Sequence, residues 1–450
     1  MRQRRFRLIL AVVAAMASLV AVSGIRTATA DTVPAPVSAA KSETRYFEGD
    51  YKVSLNLYSF NVNLNAWLKG RKGAPPIDTL QAIRFAKEAG FDAVDVTAYY
   101  IPGYDNNTMP TKPRDEIMQY AREIKELCRE LGLEISGTGA QNDFADPDDA
   151  VRALDVERLK FWIDVAAEMG APVMRVFSGV VPNDIDQLGW ETIARNRIVP
   201  PLRELADYGA ARGVRIGLQN HGDMTATADQ TIQILRWVDS PNIGIIDDTG
   251  YFRPFRSTTG LGYDWYRDIA KVLPYSNNFQ VKKKPAGAEN DVLMDLDRLF
   301  TDVRLSAYRG YIPLELLWTK DEPTNPKGLT EPPYDQISEF LGKARASLAR
   351  TKTEPFEAID QSMGRYAASG ELRGPAYAQL RNASAQAQHH FEHGRVDESV
   401  RKLRIFVQRL DATNRPSEIS DNAQQTLSQQ ANALIRSLTD VFGPQGSAAG

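Results

Sequence analysis

The strongest constraint on the fold is a repeated alternation of short apolar, β-branched segments with amphipathic helical segments, which runs from about residue 46 to about residue 350. Repeated strand–helix units are typical of a parallel sheet covered by helices. The predicted strands are 53–60, 91–98, 133–139, 172–178, 214–220, 243–247, 278–283 and 311–317. Glycine readily adopts the left-handed conformation that follows a helix, so the glycines before five of these strands are predicted to end the preceding helices. These are Gly90, Gly132, Gly170, Gly213 and Gly310.

Eight strand–helix units, with the last helix predicted at 334–348, are the number that closes a (β/α)8 barrel over about 250 residues. An open doubly wound sheet is the alternative. The sequence favours the barrel, because no glycine-rich phosphate loop follows the first strand and the repeat continues to eight units. The predicted fold class is therefore α/β, a TIM barrel over residues 46–350.

A second domain is indicated by a change of composition near residue 351, where the strand-like segments stop and Gln, Ala, Ser and Asn dominate at helical spacing. Breaks at Gly370, Gly394 and 414–416 divide this region into about four helices. Their apolar stripes can be buried only against one another. Two stripes carry the pattern: Val400, Leu403, Phe406 and Leu410, then Ile419, Ala423, Leu427, Ala431 and Leu434. We predict a small all-α helical bundle over 351–440 and a disordered tail over 441–450.

The amino terminus has the pattern of a secretory signal peptide over residues 1–30. A basic stretch is followed by an apolar run over 8–22 and by Ala28-Thr29-Ala30 before Asp31. A spacer over 31–45, rich in Ala, Pro, Ser and Thr, is predicted to be flexible. The paired arginines at 4 and 5 leave twin-arginine export open beside Sec-type export. An uncleaved anchor is the alternative, but the apolar run is shorter than the ~20 residues of a membrane span. We expect a secreted protein that is not an integral membrane protein once processed.

Charge and cysteine content narrow the possible functions. The formal net charge is -3 and the charges are scattered, so the chain lacks the basic field that nucleic-acid binding requires. The single cysteine, Cys128, excludes an internal disulfide and is predicted to be a buried thiol.

Four predicted strands end in a polar residue, and these ends define the candidate site. The carboxyl ends of barrel strands open onto one face, where barrel enzymes carry their chemistry, so the four side chains are expected to converge. They are Gln219, Asp248, Gln280 and Glu315. His221 follows Gln219 by two residues on the same face, and the other three histidines lie far downstream in the predicted bundle.

Further residues near strand ends are candidates for binding a substrate. Lys282 shares the face of Gln280 and is positioned to contact a hydroxyl or enolate oxygen. Asn142 and Arg175, near the third and fourth strands, are predicted to contact hydroxyl groups, and Trp318 is predicted to stack on a sugar ring. The alternative interpretation of each residue taken alone is a scaffold role at the barrel rim.

The barrel resembles the xylose isomerase-like superfamily of sugar isomerases and epimerases over roughly 50–350. In that superfamily Glu, Asp, His and Glu at the ends of the fifth to eighth strands hold a divalent metal. Asp248, in Asp-Thr-Gly, and Glu315, in Ile-Pro-Leu-Glu, match two of these positions. Gln219 stands where Glu is usual, and Gln280 stands where His is usual.

The resemblance implies a metal site and an acid–base pair. Oxygen ligands from Gln219, Asp248, Gln280 and Glu315 favour a hard divalent ion, namely Mn, Mg or Ca. An amide at position 219 cannot take a proton, so His221 is predicted to act as a base beside Glu315.

The bundle resembles the FIMAH domain of secreted Gram-positive proteins, from Ser369-Gly370-Glu371-Leu372 through Leu380-Arg381-Asn382 to Phe406. This likeness implies secretion and attachment to cell-wall polysaccharide.

Together these features predict a secreted, divalent-metal-dependent sugar isomerase or epimerase. Its expected partner is a small, unphosphorylated sugar or glycoside, which it deprotonates next to a carbonyl. Two alternatives remain open from the sequence. One is a lyase that opens 3-keto-glycosides by β-elimination, and the other is a non-catalytic carbohydrate-binding protein whose metal site has degraded.

Overall fold

The computed structural model describes residues 51–257, 263–285, 292–306, 308–317, 331–351, 355–393, 395–412 and 418–442. The predicted signal peptide, spacer and tail end, Trp318, and two of the three predicted bundle breaks, Gly394 and 414–416, lie outside these residues.

Eight parallel strands close a barrel in sequence order, which confirms the predicted fold class. The strands are β1 (Lys52–Asn56), β2 (Ala93–Thr97), β3 (Glu134–Gly139), β4 (Val173–Val176), β5 (Arg215–Gln219), β6 (Ile243–Asp248), β7 (Ser276–Lys282) and β8 (Tyr311–Glu315). The first and last strands pair from Lys52↔Tyr311 to Leu55↔Leu314, and this pairing closes the ring.

The predicted first strand extends too far, because β1 ends at Asn56 and a short 3-10 helix, Leu57–Phe60, follows it. The Asn56 side chain causes this ending by accepting a hydrogen bond from the Tyr58 backbone N–H at 2.9 Å. Local side-chain caps of this kind compete with the strand ladder. Asn56 therefore lies at the carboxyl end of its strand, level with the candidate site.

Eleven helices accompany the described part of the barrel: α1 (Asn61–Lys69), α2 (Thr79–Ala89), α3 (Arg114–Leu131), α4 (Asp149–Met169), α5 (Ile185–Leu188), α6 (Trp190–Ile193), α7 (Val199–Ala210), α8 (Ala228–Val238), α9 (Trp265–Val272), α10 (Leu296–Leu305) and α11 (Tyr334–Arg350). Gly90, Gly132 and Gly170 end α2, α3 and α4 in left-handed conformations. Gly310 does not have the predicted role, since α10 ends earlier, at Leu305, with Ser306 as its C-cap.

Apolar residues fill the layer between strands and helices, whereas the barrel interior carries many polar and small residues. Ser54 and Ser136 hydroxyls meet at 2.7 Å across the interior, and Asn278 donates to the Ser136 carbonyl at 3.0 Å. Gly217 has no room for a side chain, because a Cβ there would lie 2.4 Å from Ile246. These hydrogen-bonded polar residues of the barrel interior lie beneath the site at the open end of the barrel.

The carboxyl-terminal helices form a second core: α12 (Pro355–Ala368), α13 (Gly374–Glu392), α14 (Val396–Ala412) and α15 (Asp421–Phe442). Both predicted stripes are buried in it, with Leu403, Phe406 and Leu427 inaccessible to solvent. Leu305 of α10 also belongs to this core, and Arg298 of α10 contacts Asp440 of α15 at 2.6 Å. The bundle is thereby joined to the barrel.

Among the helices in the described residues, none combines the length and the apolar character needed to cross a membrane.

Candidate functional site

A cavity of about 210 Å³ opens at the carboxyl ends of the strands. Six of the predicted site residues line it: Arg175, Gln219, His221, Gln280, Lys282 and Glu315. Asp248 lies against these residues and is fully buried. The predicted convergence of four strand ends is therefore what the structure shows: Gln219, Asp248, Gln280 and Glu315 form one continuous network of hydrogen bonds.

Asp248 is surrounded by donors. Its Oδ2 accepts from the amide nitrogens of Gln219 at 2.5 Å and Gln280 at 2.8 Å, and it lies 3.4 Å from the Lys282 ammonium. Its Oδ1 accepts from the Gly250 backbone N–H at 2.9 Å. Each carboxylate oxygen offers about two acceptor positions, so these contacts fill Oδ2 and leave one position on Oδ1. Burial raises the pKa of Asp248, and Lys282 opposes that shift.

The orientation of the Gln280 amide follows from a chain of fixed donors. The Tyr58 N–H can only donate, so the Asn56 atom facing it is the oxygen. The Asn56 nitrogen then faces the Gln280 oxygen at 3.0 Å. The Gln280 nitrogen must therefore face the carboxylates, donating to Asp248 and, at 2.7 Å, to Glu315.

Lys282 and Glu315 form a buried ion pair at the cavity wall. The ammonium contacts Glu315 Oε1 directly, and the lysine side chain is only 3% exposed. Burial alone favours the neutral amine, but the charges of Asp248 and Glu315 outweigh it and raise the pKa of Lys282. Glu315 accepts one bond on each oxygen and so keeps acceptor positions for a ligand.

His221 lies on the same cavity wall and is half-buried. Its ring packs against Tyr251 at 4.1 Å and Phe177 at 4.7 Å between centroids. Nδ1 faces a carboxylate oxygen of Asp223 at 3.4 Å. Because an ionised carboxylate can only accept, this contact favours a proton on Nδ1, and in that tautomer Nε2 carries the lone pair.

Arg175 also lines the cavity. It donates to the Tyr99 hydroxyl at 2.8 Å, and its guanidinium lies 4.4 Å from the Phe177 ring centroid. Close contact with aromatic faces suits a guanidinium ion better than an ammonium ion.

Asn142 is buried but does not line the cavity. Its side-chain amide bridges the backbone of Phe177, donating to the carbonyl and accepting from the N–H, both at 2.8 Å. The neighbouring Gln141 lines the cavity instead. This arrangement fixes the loop after β3 to the end of β4.

The amino-acid sequence matches two known family descriptions. Residues 83–333, more than half of the chain, match the Xylose isomerase-like TIM barrel, and residues 356–436 match the FIMAH domain. The chain belongs to the xylose isomerase-like TIM barrel family.

The chain also resembles individual known proteins, at identities of 14–30%. The chain is 30% identical over 163 residues to a 3-dehydroshikimate dehydratase of Pseudomonas aeruginosa, a match that covers 36% of this chain and about a quarter, 23%, of that relative. D-psicose 3-epimerase with D-tagatose from Clostridium cellulolyticum H10 is 16% identical, covering 66% of this chain and 99% of that one, with a TM-score of 0.48. The IolI protein with a bound zinc atom is 14% identical, covering 67% and 97%, with a TM-score of 0.47. Similarity at this level does not identify the reaction of this chain.

The residues at the xylose isomerase-like metal position do not fit a divalent ion. Gln280 presents its amide nitrogen where a metal needs an oxygen, and the Asp248 oxygen that faces Gln219 and Gln280 has no acceptor position left. The described residues contain no group of three His, Cys, Asp or Glu side chains arranged to hold a metal. The predicted ligand set of two carboxylates and two amide oxygens is therefore not what the geometry provides.

Several cavity residues were not predicted from the sequence. They are Asn56, Tyr58, Thr97, Gln141 and Phe177. Asn56 and Thr97 are the last residues of β1 and β2, so the rule that placed the other four applies to them as well. Because the first strand was predicted to continue to residue 60, Asn56 was not recognised as a strand end.

Proposed function

We propose that this protein is a sugar-acting enzyme that removes a proton from a carbon next to a carbonyl group. The observation that carries the proposal is the presence of two proton acceptors, His221 and Glu315, on the wall of one cavity. His221 offers the lone pair of Nε2, and Glu315 keeps acceptor positions beyond its bonds to Gln280 and Lys282. Paired acid–base groups are what proton transfer between neighbouring carbons requires.

The proposed reaction begins with transfer of the carbon-bound proton to Nε2 of His221. The electron pair of the broken C–H bond forms a carbon–carbon double bond, and the carbonyl oxygen takes the negative charge. Delivery of a proton from water to the opposite face of that carbon, with release of the abstracted proton from His221 to solvent, gives an epimer. Transfer of the abstracted proton from His221 to the neighbouring carbon gives an isomer. Glu315 exchanges the hydroxyl proton that accompanies isomerisation.

The substrate is proposed to be a neutral sugar or glycoside of small size. Arg175 and Lys282 are the cationic side chains that line the described cavity, and each already contacts polar or charged partners. This leaves little provision for a phosphate group. A volume of about 210 Å³ corresponds to roughly seven water molecules at about 30 Å³ each. The cavity therefore suits one sugar ring rather than a long oligosaccharide.

A β-elimination that opens an oxidised glycoside is the second candidate. It uses the same first step, after which a group on the next carbon leaves instead of a proton returning. The 30% identity to a dehydratase favours this possibility, since that name denotes loss of water. The product distinguishes the two candidates, because elimination gives an unsaturated ketone and epimerisation gives a saturated sugar.

The proposal places the enzyme outside the cell. The pattern of the first 30 residues supports export, and phosphorylated sugars are not expected there. The FIMAH domain is proposed to bind cell-wall polysaccharide. Co-sedimentation of the mature chain with insoluble cell-wall material, against a sample without that material, tests this part.

Solvent deuterium exchange tests the proposed reaction. The mature protein is incubated in D2O with a panel of aldoses, ketoses and 3-keto-glycosides, and deuterium at the carbon next to the carbonyl is followed by NMR. His221→Ala is expected to lower exchange at least a hundredfold, as loss of a general base does, without changing the melting temperature. His389→Ala, an exposed histidine of the bundle, is the control and should exchange as the wild type does. Full exchange by His221→Ala would remove this residue from the reaction.

A further inference from the structure

We propose that the Lys282 ammonium occupies the role that a divalent metal has in this barrel family, so that the site works without a metal ion. The part of this inference that concerns the substrate rests on the proposed function. The metal-binding experiment that tests the inference does not require turnover.

The first argument is charge balance. Asp248 and Glu315 are buried carboxylates that share one small volume, and Gln280 donates to both of them. Two buried anions at close range require a compensating cation. Lys282 supplies it, since its ammonium contacts Glu315 and lies 3.4 Å from Asp248.

The second argument is that four consecutive residues accommodate this lysine. Asp248 pairs with the ammonium, and the Thr249 hydroxyl accepts from the Lys282 backbone N–H at 2.9 Å. Gly250 provides the space for the lysine stem, because a Cβ there would lie 2.3 Å from Lys282 Cδ. The ring of Tyr251 lies 5.0 Å from the ammonium, within cation–π range. The segment that carries the predicted metal ligand is thus built around an ammonium group.

The third argument concerns the two glutamines. A metal site needs oxygen atoms directed at the ion, but both amides direct nitrogen at Asp248. The two carboxylates carry two negative charges, and Lys282 carries one positive charge. The amide N–H groups offset part of the remaining negative charge. Gln219 and Gln280 therefore complement a site whose cation carries one positive charge instead of two.

The position of Lys282 gives this cation a chemical task. An ammonium ion has three N–H donors, and the two carboxylates take two of them. Lys282 also lines the cavity, so the third donor is available to a substrate carbonyl oxygen. A donor held ready at the place where negative charge develops stabilises an enolate.

Metal binding by the intact protein is the direct test. The purified mature chain is dialysed against Mn²⁺, Mg²⁺, Ca²⁺ or Zn²⁺, freed of excess ion and measured by elemental analysis and thermal unfolding. We expect less than a tenth of an equivalent of each ion per chain and no shift in melting temperature. About one equivalent of any ion, lost in Glu315→Gln, would overturn the proposal.

A lysine variant tests the same idea in the opposite direction. In Lys282→Met the two carboxylates lose their cation, so the melting temperature is expected to fall by several degrees. Lys283→Met, the neighbouring lysine, is the control and should not show a fall of this size. An unchanged melting temperature in Lys282→Met would show that the ammonium does not balance the carboxylates and would overturn the proposal.

A second variant covers the case in which Lys282→Met does not fold. Lys282→Met with Asp248→Asn removes one charge of each sign and leaves Glu315 with its bond from Gln280. This double variant is expected to fold and to lie closer to the wild type in melting temperature than Lys282→Met. Soluble yield no better than that of Lys282→Met would count against the charge pairing. Metal-free protein that exchanges no sugar proton would leave the cation assignment intact and remove the proposed reaction.

Discussion

At the scale of single residues, atom orientation decides the chemistry of this site more than residue type does. The sequence predicts correctly that Gln219, Asp248, Gln280 and Glu315 meet, because strand ends converge in a barrel. It does not reveal which atom of a glutamine faces a carboxylate. That information lies in the chain of bonds from the Tyr58 N–H through Asn56 to Gln280, which connects β1 to β7.

The same limit applies to Lys282 and Asn142. Lys282 was predicted to contact substrate from its position on a strand, but its pairing with Asp248 and Glu315 depends on the stem passing Gly250. Asn142 was predicted one residue away from the side chain that reaches the cavity, Gln141. Sequence spacing locates a loop at the rim, and only packing determines which of two neighbouring amides turns inward.

Gly250→Ala is predicted to be destabilising at the residue scale. The added Cβ would lie 2.3 Å from Lys282 Cδ, so the lysine must leave its place between the carboxylates. We expect the free energy of unfolding to fall by about 1–3 kcal/mol, the usual cost of overpacking. Gly342→Ala, an exposed glycine within α11 with open space at its Cβ, is the control and should stabilise by roughly 0.5–1 kcal/mol. Denaturant unfolding of both variants measures the difference, and a neutral Gly250→Ala would contradict the packing described.

At the scale of elements, the alternation of strands and helices was predictable because each has its own apolar period. Seven of the eight strands begin and end within two or three residues of the predicted bounds. The exception is β1, which the Asn56 cap ends early. Gly310 was assigned to the wrong role for a related reason, since Ser306 ends α10 first. Caps formed by side chains override periodicity at element ends, and the carboxyl ends of strands, such as the end of β1, are where active sites of barrels lie.

The contact of α10 with α15 carries a buried acid and predicts a pH dependence. Burial raises the pKa of Asp302 to about 8, Ser437 and Arg298 lower it, and Asp440 adds to the rise. The folded protein thus holds a proton that the unfolded chain releases near pH 4. Stability is therefore lost as the pH rises from about 4 to about 8, and it is constant above that range.

Asp302→Asn is expected to remove this dependence. The variant should resemble the wild type near pH 4 and exceed it by a few kcal/mol above about pH 8, at about 1.4 kcal/mol for each unit of pKa shift. Melting temperatures of both proteins between pH 4 and pH 9 measure the effect. Asp207→Asn, on the exposed face of α7, should follow the wild type throughout. A constant difference between Asp302→Asn and the wild type across this range would refute the assignment.

At the scale of the whole molecule, a xylose isomerase-like barrel is joined to a FIMAH bundle through α9, α10 and α15. The described residues that line the cavity all come from the barrel, so the described part of the bundle does not shape the site. The proposed enzyme therefore combines a reaction in the barrel with attachment through the bundle. In this proposal the barrel removes a carbon-bound proton, and a lysine takes the place of the metal ion.

An assay of the metal-free protein tests this combination. The mature protein is treated with EDTA, shown by elemental analysis to contain no divalent metal, and assayed for deuterium exchange on a sugar that the untreated protein turns over. The account predicts an unchanged exchange rate in EDTA and loss of at least a hundredfold in Lys282→Met, since a preorganised charge at the enolate oxygen has an effect of about that size. Exchange that EDTA abolishes and Mn²⁺ restores would contradict it.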